Sequence, residues 1–159
     1  MCYTKKFLKI IILIFTSYFL FANNISQYHI YDPWENFQVS DNHASTIFHF
    51  DELKSILINT PQVRDRSFSK IVVNMPLRNG EKLAFRFYET SVMHSNLSDR
   101  YPKIQSFMGV GISNPSHRAS IVINDGIIMG MSVTHEGNSF FQSFDLDGGR
   151  EVLKVGDEL

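Results

Sequence analysis

Strict alternation of apolar and polar side chains marks two neighbouring stretches of the chain. In residues 70–77, Ile71, Val73, Met75 and Leu77 alternate with Lys70, Val72, Asn74 and Pro76. In residues 82–88, Leu83, Phe85 and Phe87 alternate with Lys82, Ala84, Arg86 and Tyr88. A period of two predicts strands with one face buried. Asn79-Gly80 between them accepts the positive φ values of a type I′ turn, so the pair is expected as a β-hairpin. Pro76 donates no ladder hydrogen bond and points to an edge or to the last pairing of its strand. Residues 104–110, 119–123, 127–134 and 139–144 read as further strands, with turns at Asn124-Asp125-Gly126 and Glu136-Gly137-Asn138.

The period changes in two places. After Asp51, a good N-cap residue, Leu53, Ile56 and Leu57 follow at helical spacing until Thr60-Pro61. Met93, Leu97 and Tyr101 are spaced by four, one face of a two-turn helix that Pro102 halts. The expected fold class is therefore α+β: an antiparallel, strand-rich sheet or sandwich with two short helices. Residues 23–46 are polar and irregular around an isolated Trp34, and read as a tether or an edge packed on the domain. Residues 47–145 form the domain, and residues 146–159, with Gly148-Gly149, read as a flexible tail.

The first 22 residues stand apart. Lys5, Lys6 and Lys9 precede an uncharged apolar run over residues 10–21, then Ala22 and Asn23-Asn24. This is the layout of a secretory signal peptide, and the run is shorter than the about 20 residues that span a bilayer. A secreted or periplasmic destination follows as the expectation. Without residues 1–22 the chain keeps 12 basic and 16 acidic residues, a formal charge of −4, and no cysteine. It folds without disulfides. It also lacks the basic footprint of a nucleic-acid binder, and no membrane association is expected after cleavage.

Catalytic chemistry is sparse. The six histidines (His29, His43, His49, His94, His117, His135) include no i, i+4 pair, and His135-Glu136 is followed at residue 139 by Ser instead of a second His. They read as structural or surface groups rather than metal ligands. Gly109-Val110-Gly111 has Asn at residue 114 where a dinucleotide fingerprint needs its third glycine. The two glycines are expected to let a strand bend or bulge. No G-x-S-x-G elbow is present. The sequence therefore predicts no catalytic, cofactor-binding or metal-ligating residue, no cofactor, and a protein that is not an enzyme.

One stretch resembles a known family. The FDELKSIL segment from Phe50 leads into the strand at 71–76 and the Asn79-Gly80 turn. Val92-Met93, Leu97, Tyr101-Pro102, Gly109-Val110-Gly111, Asn114-Pro115 and Arg118 follow in order. The spacing V-M-x-x-x-L-x-x-x-Y-P, then G-x-G, then a proline turn, is similar to the N-terminal pro-domain of bacterial secreted reprolysin-like zinc metalloproteases, over about residues 47–145. The resemblance implies a domain that assists folding of a metalloprotease catalytic domain, its partner, or keeps it inactive. Met93, Leu97, Tyr101, Pro102, Gly109, Gly111 and Arg118 are its motif positions, structural or in contact with that partner. The catalytic H-E-x-x-H is absent from this chain, so no zinc site carries over. The chain reads as a truncated precursor or as a relic acting in trans, and with no cysteine after residue 22 any inhibition is steric or through another ligand. The competing expectation is a stand-alone secreted β-rich module that binds a surface protein or glycan through Trp34, Tyr88 and Phe140-Phe141. An unrecognised small hydrolase has no constellation behind it.

Overall fold

A computed structural model describes residues 28–40, 43–90, 100–146 and 150–156. Among these residues 60% are strand and 10% helical, in one curled ten-stranded sheet shaped as a half-barrel. The strands are β1 (His29–Tyr31), β2 (Glu35–Ser40), β3 (His43–His49), β4 (Ile71–Pro76), β5 (Lys82–Thr90) and β6 (Gln105–Gly111). They continue with β7 (Arg118–Asn124), β8 (Ile127–Thr134), β9 (Gly137–Leu146) and β10 (Arg150–Gly156). One α-helix, α1 (Phe50–Leu57), and a 3-10 turn over Val63–Asp65 complete the described elements.

The expected α+β class with two helices is thereby corrected to a mostly-β half-barrel with a single α-helix among the described residues. The second helix was placed around Met93 and Leu97, which lie outside the described residues. Its expected end, Tyr101-Pro102, is a turn in which the Ile104 amide donates to the Tyr101 carbonyl at 3.1 Å. The class shifts because segments expected to be irregular, those of β1, β2 and β10, are strands as well.

Strand order is β1-β4-β5-β6-β7-β8-β9-β10-β3-β2. From β4 to β10 the chain is an antiparallel meander, and β3 returns to pair with β10. β1 pairs in parallel with β4, while β2 pairs with β3 at the opposite edge. Only residues 32–34 join β1 to β2, a link that reaches about 14 Å at most. Ten strands laid flat would hold those edges about 43 Å apart. The short link therefore demands the curl.

Several contacts secure this seam. The Trp34 indole Nε1 donates to the Asn74 carbonyl on β4, and its ring lies 5.3 Å from that of Phe48 on β3. Asp32 accepts from Lys82 on β5 at 3.0 Å. Phe37 and Val39 of β2 lie against Gly80, in the β4–β5 turn. Residues 23–46, expected to be irregular, thus supply two edge strands and part of β3. Residues 146–159, expected as a flexible tail, contain β10, which sits between β9 and β3. Neither strand alternates clearly enough in sequence to declare itself without its neighbours.

The concave side holds the core. Phe48, Phe85, Phe87, Phe107 and Phe141 are at most 1% exposed and pack with Leu53, Ile56 and Leu57 from α1. The helix starts after His49, which makes no side-chain cap, so Asp51 is not the N-cap. With Glu52 it occupies the first turn, where carboxylates oppose the positive end of the helix dipole. The expected hairpin at Asn79-Gly80 forms, but only Gly80 of the two has positive φ, at 88°. With the Gly80 amide bonded to the Leu77 carbonyl and the Leu77 amide to the Glu81 carbonyl, the loop is a type I turn with a G1 bulge. The type I′ geometry belongs instead to Asp125-Gly126, at φ 46° and 92°.

Candidate partner surface

The motif positions do not assemble into one site. Met93 and Leu97 lie outside the described residues. Tyr101, 54% exposed, and Pro102 precede β6, whereas Gly111 closes its far end and Arg118 pairs there with Val110, roughly 20 Å along the strand. Gly109 and Gly111 do not bulge β6, whose pairing with β5 and β7 shows no register shift. Both make room instead. A Cβ at Gly109 would stand 3.0–3.1 Å from Phe87, Ala119 and Phe85, and one at Gly111 would stand 2.5 Å from the Asn114 carbonyl oxygen. Arg118 opens β7 on the convex face, donating through Nη1 to the carbonyls of Pro115 and His117.

The aromatic contacts expected of a free-standing binding module are also rearranged. Trp34 is 6% exposed and Phe141 fully buried, while Tyr88 and Phe140 are half-buried. Four large exposed apolar side chains lie together elsewhere, on the convex face of β8 and β9. Ile127, Met129, Met131 and Phe144 are 37–44% exposed. Ladder register aligns them with their neighbours in rows across the sheet. One row runs Tyr88, Met108, Ser120, Met131, Phe140, and the next contains Val122, Met129, Gln142 and Lys154. The strand pattern that points Phe and Ile inward thus leaves Met, Val and Phe on the outside.

Charge on this face has one sign. From Arg86 on β5 to Lys154 on β10, the convex positions of six strands carry no carboxylate. Arg86, Arg118 and Lys154 stand around the apolar rows. Arg86 lies 4.0 Å from the Phe68 ring centroid and 5.3 Å from that of Tyr28, and its Nε is buried with no hydrogen-bond partner. Lys154 sits 4.8 Å over the Phe144 ring.

Two histidines meet beside this face. His117 Nε2 and His135 Nδ1 are 2.9 Å apart, and Asn114 Nδ2 is 3.2 Å from the same His117 nitrogen. The ring planes differ by 17° and the centroids by 5.1 Å, which is the N···N contact plus one ring radius at each end. The rings therefore meet edge to edge, as an N–H···N hydrogen bond requires. That geometry suits a shared proton, whereas two imidazoles ligating one ion converge at an angle. Eighteen residues separate the pair in sequence, and only the β7–β8 register, which sets Arg118 opposite Val133, reveals it. Among the described residues no group of three or more His, Cys, Asp or Glu side chains is placed to hold a metal ion. No helix of the described residues is long and apolar enough to cross a membrane.

Comparison with protein-family models, with curated proteins and with solved structures returns no match.

Proposed function

We propose that the chain is an exported, non-catalytic module that docks on a reprolysin-like metalloprotease catalytic domain and assists its folding or keeps it inactive. The observation that carries this reading is the convex face of β5–β10: a broad, apolar, carboxylate-free surface on a domain whose concave side is already filled by its own core. Surfaces of this kind mark protein contacts. Support also comes from the sequence resemblance running from Val92 to Gly111 and Arg118. Contact through a face fits better than strand addition, because β2, an edge strand, packs its Phe37 and Val39 over the β4–β5 turn, and Trp34 caps the exposed carbonyl of β4. If the two proteins are linked covalently, even weak face contacts act at high effective concentration.

The test is titration of a purified reprolysin-like catalytic domain with the exported chain, following hydrolysis of a peptide substrate and recovery of active protease on refolding. Slowed hydrolysis or raised recovery is expected, and Met131→Asp abolishes it while leaving the fold intact by circular dichroism. No complex and no change in either rate at saturating chain would overturn the reading.

A further inference from the structure

We infer that the convex face is built for a protein partner whose contact surface is apolar at its centre and carries carboxylates at its rim. The inference deepens the docking proposed above and rests on it. Arg86 and Arg118 share one ladder row with Val110 between them, two strand spacings or about 10 Å apart. Lys154 stands three strands beyond Arg118, on the far side of Met131 and Phe140. Their attachments are electrically neutral: Arg86 rests on aromatic rings, Arg118 on backbone carbonyls, Lys154 on Phe144. Among the described residues, no ion pair neutralises any of the three.

This placement discriminates between occupants. A wholly apolar partner would strip water from cations that it could not pair, which costs more than the apolar contact returns. Carboxylates at matching positions would instead form charge-assisted hydrogen bonds, with the fork of Arg118 suited to a bidentate contact. A second copy set face to face about a twofold axis would bring the same cations and no carboxylates, so self-association through this face is disfavoured. An anionic bilayer offers the right charge. However, the apolar side chains here are at least half covered by their neighbours on a curved sheet, whereas insertion needs apolar groups that reach several ångströms into the interface. The adaptable thioethers of Met108, Met129 and Met131 fit a protein surface instead.

The experiment measures binding of the exported chain to two synthetic peptides with the same central run of leucines, one flanked by glutamates and the other by lysines. Vesicles of anionic phospholipid and the catalytic domain are run in parallel. Preference for the glutamate-flanked peptide is expected, reversed in the Arg118→Glu, Lys154→Glu double variant and lost in Met131→Asp. For a bound catalytic domain, the double reversal weakens affinity by about fivefold or more, with steeper loss in the absence of added salt. Equal binding of both peptides, binding of neither, tighter binding to vesicles, or a dimer sealed by this face would each overturn the inference. A catalytic domain that binds regardless of the reversals overturns the inference and leaves the proposed function standing. Peptide preference without any effect on the protease does the opposite.

Discussion

Strands β7 to β9 wear two unlike faces. Inside, Ala119, Ile121, Ile123, Ile128 and Phe141 are at most 3% exposed and interlock with α1 and the phenylalanines of β5 and β6. Outside, Ile127, Met129, Met131 and Phe144 remain over a third exposed. The same alternation produced both, yet the two faces are constrained differently. Interior positions are fixed by volume: at Gly130 an added Cβ would stand 2.0 Å from the Ser120 carbonyl oxygen and 2.8 Å from the Phe141 ring. Exterior positions are apolar yet stay more than a third exposed, so burial gives them far less to stabilise than it gives the inner face. The docking proposed above would account for them.

Substitutions sharpen that contrast. The largest effect is expected from Phe141→Ala, which removes a fully buried ring and is expected to cost about 3–5 kcal/mol, read by chemical denaturation. Met131→Ser on the outer face of the next strand is expected to change stability by no more than about 0.5 kcal/mol. It should nonetheless weaken binding to the catalytic domain. Comparable destabilisation by both variants would mean that the outer face is packed in the native protein, and the docking reading would lose its footing.

How far the sequence announced this architecture depends on where the information sits. The β4–β5 hairpin, the strands from β6 to β9 and α1 were legible because each carries a local period or turn chemistry. β8 shows the limit. In Ile127–Thr134 nearly every residue is apolar, and the inward positions include Gly130 and Ser132 while the large Met129 and Met131 point outward. A rule that sends the larger side chains inward would invert the strand, and only the space claimed by Phe141 from β9 decides its register. β1, β2, β3 and β10 were missed because such segments form strands only when distant neighbours present free ladder groups. The convex surface went unseen for the same reason. Its residues come from six strands, and nothing in the linear order marks Arg86, Arg118 and Lys154 as one set.

A second comparison separates the meander from its seam. The meander is held by continuous ladders, whereas β1 and β2 each pair on one side only and meet across the seam through a three-residue link, the Trp34 indole and a few side-chain contacts. Trp34→Phe keeps a ring against Phe48 but leaves the Asn74 carbonyl without its donor, at about 1–2 kcal/mol. Hydrogen exchange should show the amides of β1 and β2 opening together at lower free energy, with β6 to β9 protected as before. Independent opening of the two edges would mean that Trp34 does not couple them.

The smallest effect is expected at the β7–β8 turn, where the outer face ends. Lys103 Nζ donates to Asp125 Oδ1 at 2.6 Å, and this hydrogen bond, reinforced by the charge of Lys103, holds the Asp125 carboxyl below the usual aspartate range. Because the folded-state value is the lower one, the pair favours the folded state at pH values above the ordinary aspartate range. That contribution fades as the pH falls through the depressed value. Both side chains are about 70% exposed, so water and salt screen the pair. Carboxyl-carbon NMR titration should find Asp125 moving up towards the ordinary range in Lys103→Ala, and in the wild-type chain at high salt. An unchanged titration in the variant would transfer the cause from Lys103 to the turn backbone, where Asp125 itself adopts a positive φ of 46° that Asp tolerates better than most residues.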